Sequence, residues 1–224
     1  MTTTTINKPL DAPTAILKRR NVRHFKTSPI APELLNQLIE LTQAAPTNWN
    51  IQDWTAILVQ EEAQKKALSE AAWGQQQVVQ APVTFVFIVD LEAAWSEDVE
   101  EVYQIALDRG AWPEERIQYL KKNMPAFQQQ LKDTGLLREY AVKDAMIAAT
   151  HLMIAAESLG LTSSIMNGWV EEQVKNVVGI ADKPNLCVAI LVALGYPEQT
   201  PGNPGRLPVG KRFFVGNLNQ PYPG

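Results

Sequence analysis

A basic cluster near the start of the chain carries residue types suited to binding an anion. Arg19, Asn21 and Arg23 alternate along the run Arg19-Arg20-Asn21-Val22-Arg23, where a short helix gives way to an extended segment. Because alternate residues of an extended segment point to the same side, these three side chains can face one ligand. Guanidinium groups bind phosphate well, since their forked donors reach two oxygens at once. The cluster therefore indicates a phosphate site, although a solvated basic run has the same composition.

Two further segments are suited to a planar, hydrogen-bonding ligand. Residues 45–54, APTNWNIQDW, place Thr47, Asn48 and Asn50 among two tryptophans. Amide side chains offer donors and acceptors together, as a polar heterocycle requires, but Asn and Pro are equally typical of an ordinary turn. Residues 202–207, GNPGRL, bring Arg206 close to backbone that glycine makes adaptable. The three segments share one theme, which is an anionic, planar ligand.

Other common catalytic sites have no counterpart in the sequence. One cysteine and two histidines, His24 and His151, are too few for a zinc site without several carboxylates, and no HExxH segment occurs. The phosphate-binding and nucleophile motifs GxGxxG, GxxxxGK(S/T) and GxSxG are missing as well. Cys187 lies in an apolar strand, which is typical of an inert core thiol, and His151 lies in the most apolar helix, which favours a buried, hydrogen-bonded structural histidine. We therefore expect neither a metal nor a side-chain nucleophile.

Length and composition narrow the class of protein further. With 224 residues, 46% of them hydrophobic and 20% charged, the chain is long enough for one domain with a sizeable core. A formal net charge of -4 argues against a surface that attracts nucleic acid or anionic lipid. The polar N-terminus has no apolar signal segment, and the longest apolar runs, 83–89 and 186–194, are too short to span a membrane. We expect a cytoplasmic protein that binds neither nucleic acid nor membrane.

The hydrophobic pattern predicts an α+β layered domain. Residues 1–13 are predicted to be a mobile tail that precedes a single domain over 14–224. Strands are predicted at 55–59, 83–89, 163–166 and 186–194, with a final extended segment at 212–215. Helices are predicted over 14–20, from 32 to Pro46, and over 61–73, 140–159 and 171–178. Residues 92–140 are predicted to be a helical excursion from the core, broken at Pro113 and Pro125.

Six ordered segments give the chain a resemblance to the nitroreductase family of FMN-dependent oxidoreductases. Residues 19–23, RRNVR, are similar to the family's opening RRSxR, and residues 45–54 are similar to its APSxxNxQPW. The other matches are Gln80-Ala-Pro before an apolar strand, AAESLGLTSS at 155–164, Asn167-Gly-Trp at 167–169, and Leu194-Gly-Tyr-Pro with Arg206-Leu-Pro. The resemblance covers residues 14–215. It implies a central, mostly antiparallel sheet flanked by helices in an intertwined homodimer, with the sites at the interface.

The resemblance also implies which residues hold FMN. Arg19 and Arg206 would hold the phosphate, and Arg23 would approach the pyrimidine edge of the isoalloxazine ring. Gln75 or Gln77 would face that same edge, and the 47–50 loop would line the site, commonly that of the other subunit. The turn that begins at Met166 would address flavin N5 and O4 through its backbone N–H groups. The complete implied set is Arg19, Arg20, Asn21, Arg23, Thr47, Asn48, Asn50, Gln75, Gln77, Met166, Asn167, Gly168 and Arg206.

The activity implied by the resemblance is hydride transfer from NAD(P)H, through flavin N5, to an oxidised acceptor such as a nitroaromatic or a quinone. No side chain need be catalytic, because the flavin carries the chemistry. The helix at 140–159 and the segment 213–215 are predicted at the dimer interface, and the aromatic residues that would shape the substrate pocket are Trp95, Tyr103, Trp112 and Phe127. Asn167 stands where many relatives have Glu, and neutral glutamines stand at 75 and 77. Two alternatives stay open: a specialised dehalogenase-like or flavin-cleaving member, and a non-catalytic flavin-binding or sensor protein.

Overall fold

A four-stranded antiparallel sheet forms the centre of the fold in the computed structural model, which describes residues 8–223. The strands are β1 (Trp54–Val59), β2 (Val83–Asp90), β3 (Thr162–Met166) and β4 (Leu186–Gly195), and they lie in the order β1-β2-β4-β3. All three neighbouring pairs are antiparallel. The predicted α+β class and its mostly antiparallel sheet are therefore confirmed.

Eight helices surround this sheet among the described residues. They are α1 (Ala12–Lys18), α2 (Pro32–Gln43), α3 (Glu62–Ala71), α4 (Gln76–Gln80), α5 (Glu97–Asp108), α6 (Glu114–Asp133), α7 (Leu137–Ser158) and α8 (Glu171–Val177). Short 3-10 turns occur at Asn48–Asn50, Ala93–Trp95 and Val209–Lys211. Helices α2 and α7 cover one face of the sheet, while α3, α4 and α8 cover the other. No helix within residues 8–223 has the length and apolar character needed to cross a membrane.

The apolar run of β2 fills both halves of the core, because successive side chains of a strand point to opposite faces. Phe85 and Phe87 pack with α2 and α7 on one side of the sheet. Val86 and Ile88 pack with α3 and α8 on the other side. A strand covered on both faces has no polar side, which explains why its sequence does not alternate.

The segment between β2 and α7 has a small apolar core of its own. Residues of α5 and α6, among them Tyr103, Leu120 and Met124, bury their side chains together. The helical content predicted here is present, but the predicted break at Pro125 is wrong, because α6 runs through it from Glu114 to Asp133. A proline inside a helix costs about 3 kcal/mol, and the burial of the apolar residues around it offsets this cost.

The N-terminal boundary differs from the predicted one. Residues 1–7 of the predicted tail lie outside the described residues. Asp11 caps α1, which begins at Ala12 rather than at 14, through a hydrogen bond from the Thr14 N–H to its carboxylate. The Leu10 N–H donates to the Ser158 carbonyl, and the Ser158 hydroxyl donates to the Leu10 carbonyl. Residues 10–13 are therefore attached to the end of α7 and do not belong to a free tail.

The C-terminal segment folds back on itself. The predicted extended segment at 212–215 contributes only a single bridge, between Phe214 and Pro221. The Val215 N–H donates to the Gln220 carbonyl, and the Tyr222 N–H donates to the Phe213 carbonyl. These bonds close a local turn within one chain. The predicted extended segment is therefore present as this single bridge, and its predicted place at a dimer interface stays a prediction.

Candidate functional site

Two adjacent arginines at the end of α1 make different contacts. Nη1 of Arg20 donates to the carbonyls of Leu17, Lys18 and Arg19 at 2.8–2.9 Å. These carbonyls have no partner within the helix, so the guanidinium caps the helix C-terminus. The prediction of Arg20 as a cofactor ligand stays a prediction, and in the single chain its Nη1 atom stabilises α1.

Arg19, in contrast, carries a buried donor without a partner. Its Nη1 atom is shielded from solvent and has no hydrogen-bond acceptor among residues 8–223. Burial raises the pKa of the nearby Glu157 carboxyl, while the positive charges of Arg19 and Arg20 act in the opposite direction. An unsatisfied buried cationic donor is rare in native proteins, and it indicates a place where an anion binds.

Asn21 fixes this basic cluster against β3. Its Oδ1 atom accepts a hydrogen bond of 2.8 Å from the Ile165 N–H, and its backbone pairs with Ser163 in a parallel bridge. The hydroxyls of Ser163 and Ser164 are buried and lack partners within the described residues, as the Arg19 donor does. Successive side chains of a strand point to opposite faces, so these two hydroxyls lie on different sides of β3, and Ser163 is the one whose backbone pairs with the basic cluster.

The other end of β3 leads into a turn with free backbone donors. Met166 is buried in the core, and Asn167 is exposed. Among the hydrogen bonds of residues 8–223, none uses the backbone N–H of Gly168 or Trp169 as donor. Adjacent free N–H groups form a binding site for an electronegative atom. Gly168 and Trp169 thus offer a binding site at the end of β3 opposite to the basic cluster.

The spacing along β3 suits an elongated ligand with one anionic end. Gly168 follows Ser163 by five residues, which span about 16 Å when fully extended at 3.3 Å per residue. The unpartnered Arg19 Nη1 and the Ser163 hydroxyl lie toward the first end, and free N–H groups lie at the second. The residues present therefore fit a phosphate at one end of FMN and a heterocyclic ring at the other.

Gln75 and Gln77, predicted to face the ring edge, hold the turn. The Gln75 Nε2 donates to the Gly168 carbonyl at 2.9 Å, and the Gln77 Nε2 donates to the Gln75 Oε1 at 2.9 Å. Gln77 is buried, with 9% of its surface exposed. The structure therefore brings both glutamines to the 166–168 turn, with their amides bonded to the protein.

The 47–50 loop is attached to α7 by a hydrogen bond. The Asn48 N–H donates to Asp144 Oδ2 on α7 at 2.9 Å, and the Thr47 hydroxyl oxygen accepts from the Gln52 N–H at 3.0 Å. Trp49, Asn50 and Gln52 all have φ between 53° and 56°. Such left-handed residues other than glycine are uncommon and cluster at binding sites. No hydrogen bond within residues 8–223 joins this loop to the basic cluster or to the Gly168 turn.

Arg23 and Arg206 are both exposed. The Arg206 Nη1 donates to the adjacent Gly205 carbonyl at 2.6 Å, and no hydrogen bond within the described residues links it to Arg19. The single chain therefore brings together Arg19, Asn21, Gln75, Gln77 and the 166–168 turn. No hydrogen bond within residues 8–223 joins the 47–50 loop or Arg206 to this group.

Sequence reasoning missed a buried acidic pair beneath the 47–50 loop. Asp53 is 7% exposed, and its Oδ1 atom has no hydrogen-bond partner among residues 8–223. Burial, together with the negative charge of Asp144, raises the pKa of Asp53 to about 7. Burial also raises the pKa of Asp144. The sequence feature that could have indicated this pair is the position of Asp53, an acidic residue directly before the first residue of strand β1.

Predictions for two isolated residues gave different outcomes. Cys187 is buried in the core as predicted, and burial raises the pKa of its thiol, which keeps it in the unreactive form. His151 is only half-buried, and its imidazole has no hydrogen bond among the described residues. It lines a cleft of about 280 Å³ with Leu41 and Ile154. The prediction of a buried, hydrogen-bonded His151 is wrong, because it lies on the face of α7 turned away from the sheet. No group of three metal-binding side chains occurs within residues 8–223.

The aromatic residues proposed for the substrate pocket have mixed roles. Tyr103 is buried in the small core of α5 and α6, and Trp112 packs against that core. The Lys132 ammonium lies 5.6 Å from the centroid of the Trp95 ring. Phe127 contacts Trp49 of the 47–50 loop, with ring centroids 5.9 Å apart. Phe127 is one of the aromatic residues predicted to shape the substrate pocket, and it therefore links that prediction to the 47–50 loop.

Comparisons with known proteins agree on one family. A sequence profile described as the nitroreductase family matches residues 16–196. A Thermus thermophilus protein named NADH dehydrogenase is 34% identical over 200 residues, which cover 89% of this chain and 93% of the relative. A Bacillus subtilis protein named as an NAD(P)H FMN reductase is 28% identical over 195 residues, covering 87% of this chain and 69% of that protein. The fold is similar to a crystal structure of an Exiguobacterium sibiricum protein in complex with FMN, with a TM-score of 0.81, 23% identity, and coverage of 92% and 98%.

Proposed function

Because this chain belongs to the nitroreductase family, we propose that it is an FMN-dependent oxidoreductase that takes hydride from NAD(P)H. The observation that carries the proposal is the buried Nη1 atom of Arg19, which has no partner within residues 8–223, at one end of β3, together with free backbone donors at the other end. Bound FMN supplies the redox chemistry, since its ring accepts a hydride from a nicotinamide and passes it to an acceptor. The chain's own residues bind the cofactor and orient it.

The phosphate end is proposed to lie against the basic cluster. Arg19 donates to the phosphate, and the Ser163 hydroxyl and the Asn21 amide are neutral donors beside it. Arg206 completes the phosphate contacts when the C-terminal segment is placed by its assembly partner. Charge-assisted bonds of this kind contribute about 1.5–3 kcal/mol each. Arg19 thereby gains the acceptor that it lacks within the chain.

The ring end is proposed to lie against the turn after β3. The N–H groups of Gly168 and Trp169 point positive dipoles at the ring, beside Met166 and Asn167. Arg23 is an exposed cation on the same side of the cluster as Asn21. Positive charge and N–H dipoles near the ring favour the state that holds more electrons, so these residues raise the affinity for the reduced cofactor.

A homodimer is proposed to complete the site. Large apolar side chains of the C-terminal segment are exposed in the single chain: Leu207 56%, Phe213 63%, Val215 52%, Leu218 79% and Tyr222 52%. Exposed apolar surface on this scale is typical of an interaction site. The strained 47–50 loop, with Thr47, Asn48 and Asn50, is proposed to reach the FMN of the second copy, since no hydrogen bond within residues 8–223 joins it to the basic cluster of its own chain.

We propose that the acceptor is a nitroaromatic or a quinone and that the kinetics are ping-pong. NAD(P)H and the acceptor then occupy the same exposed place beside the ring in turn. This arrangement needs no catalytic side chain, and it agrees with the lack of a nucleophile or metal motif in the sequence. It contrasts with the specialised enzymes of the same fold and with a flavin-binding sensor, neither of which would reduce such acceptors steadily.

The test combines cofactor binding with reduction. Purified protein is reconstituted with FMN, its visible spectrum is recorded, and NADH or NADPH is added without oxygen, followed by p-benzoquinone. We expect rapid bleaching by the nicotinamide and recovery of the flavin spectrum with the quinone. Arg19→Ala should weaken FMN binding by about tenfold or more, whereas Arg109→Ala, an exposed arginine after α5, should leave it unchanged. Bound flavin that NAD(P)H does not reduce would favour the sensor, and failure to bind FMN would overturn the proposal.

A further inference from the structure

The connection between α3 and α4 has a conformation that its sequence does not favour. Trp73 has φ 59° and Gly74 has φ 74°, so two consecutive residues are left-handed. For a residue other than glycine this region costs about 1–2 kcal/mol. The Gly74 N–H donates to the Ser69 carbonyl at 2.8 Å, and the Ser69 hydroxyl donates to the Gln75 carbonyl at 3.0 Å. The fold therefore holds Trp73 in a strained conformation, which is common at binding sites.

The indole of Trp73 packs directly on the turn after β3. A Cβ atom added to Gly168 would lie 2.6 Å from Trp73 Cζ3 and 2.8 Å from Cε3. The ring thus occupies the space that any side chain at 168 would need. Trp73 is nevertheless 70% exposed, which is unusual for so large an apolar side chain. Its ring contacts Gly168 and leaves most of its surface available beside the proposed flavin ring.

Two hydrogen bonds attach the same turn to α3 and α4. The Gln77 Nε2 donates to Gln75 Oε1, and the Gln75 Nε2 donates to the Gly168 carbonyl, both at 2.9 Å. A backbone bond of 2.8 Å from the Val170 N–H to the Ala71 carbonyl fixes the following residues. The turn is therefore held by an aromatic contact, an amide chain and a backbone bond.

We propose, building on the proposed function, that Trp73, Gln75 and Gln77 form a clamp that positions the backbone donor of Trp169 toward the flavin ring. The peptide group between Gly168 and Trp169 is planar, and its carbonyl and N–H point in opposite directions. When Gln75 holds the Gly168 carbonyl on one side, the Trp169 N–H faces the other side, where it has no protein acceptor within residues 8–223. These three are positioning residues, and they do not take part in the hydride transfer.

The clamp also strengthens the donor that it positions. A hydrogen bond to a peptide carbonyl polarises the N–H of the same peptide group, by about 10–30% per bond in a chain. Gln77 bonds to Gln75, and Gln75 bonds to Gly168, so the two amides act in series. Loss of either amide weakens the Trp169 N–H dipole beside the ring, and this N–H is then no longer held in position. The reduced, electron-rich cofactor loses more stabilisation than the oxidised one.

The decisive variant is Gln75→Leu, with Gln76→Leu as its matched control. Gln76 is the exposed neighbour, and its amide bonds only to the Gly74 carbonyl at 3.2 Å within the described residues. With FMN bound, we expect Gln75→Leu to lower the cofactor's midpoint potential. A threefold to tenfold change in the ratio of affinities for oxidised and reduced FMN corresponds to about 14–30 mV for a two-electron couple. Gln76→Leu should keep the potential of the unmodified protein.

Measurements on the protein without FMN separate this proposal from the proposed function. Hydrogen exchange of the Val170 amide, whose N–H bonds to the Ala71 carbonyl, should be faster in Gln75→Leu than in the unmodified protein, and unchanged in Gln76→Leu. Gln77→Leu should have little further effect once Gln75 is already replaced, because the two amides act in series. Unchanged exchange and unchanged potential in Gln75→Leu would overturn the clamp. If the unmodified protein fails to bind FMN, the proposed function fails whatever the exchange rates are.

Discussion

Replacing Asp53 with asparagine is expected to stabilise the folded protein above neutral pH. Asp53 is buried with one carboxylate oxygen unpartnered, and Asp144 adds a like charge nearby. Both conditions disfavour the ionised form. Asparagine has nearly the same shape and no charge to bury. The variant therefore tests whether the acidic pair below the 47–50 loop lowers stability at the pH where an enzyme works.

The magnitude follows from the raised pKa. Burial and the Asp144 charge raise the pKa of Asp53 from 3.8 to about 7. Between these values the folded state retains a proton that the unfolded state has released, so stability falls as the pH rises and levels off above about 7. Each pH unit in this window costs about 1.4 kcal/mol, and the total is about 4 kcal/mol. Asp53→Asn has no carboxyl group to ionise, so its free energy of unfolding does not show this decrease.

The assay is equilibrium urea unfolding at pH 5, 6, 7 and 8, at one protein concentration and with saturating FMN throughout. The stability advantage of Asp53→Asn should grow by about 2–3 kcal/mol between pH 5 and 7 and change little from 7 to 8. Asp182→Asn, at an exposed position, should follow the unmodified protein at every pH. Asp144→Asn should move the window to lower pH, because it removes one cause of the raised pKa. An advantage that is constant from pH 5 to 7 would refute the reasoning.

Three further substitutions probe the phosphate contacts, the turn and the core. Arg206→Ala should weaken FMN binding about 10- to 150-fold by removing a charge-assisted bond, measured by fluorescence titration, and unchanged affinity would show that this loop lies away from the phosphate. Gly168→Ala should lower the free energy of unfolding by about 1–3 kcal/mol, because its Cβ would lie 2.6 Å from Trp73 Cζ3; a neutral result in urea unfolding would mean that the indole moves aside freely. Leu152→Ala, at a fully buried position, should cost about 2–5 kcal/mol in the same assay, whereas Leu136→Ala, 42% exposed, should cost far less.

Much of the architecture is predictable because it follows from local periodicity. The all-apolar runs at 83–89 and 186–194 predicted two central strands, and β2 and β4 occupy these positions. The predicted helix at 140–159 is α7, which begins at Leu137, three residues before the predicted start. The boundary differs because helix ends depend on caps, which hydrophobic periodicity does not report. Pro125 shows the limit of local rules. A break predicted from one residue was overridden by the buried contacts of a 20-residue helix.

The sequence alone determined the family, the fold class and the short segments that carry the site, because ordered motifs and hydrophobic patterns are properties of neighbouring residues. Only the tertiary structure decided which members of those segments are available to a ligand. Arg19 and Arg20 are adjacent and chemically identical, yet one caps a helix and the other has a buried donor without a partner in the described chain. Gln75 bonds to Gly168, 93 residues away, and the pKa of Asp53 is raised by burial and by the Asp144 charge on a distant helix. Such assignments depend on contacts between remote parts of the chain, and these form only when the sheet and its helices pack together.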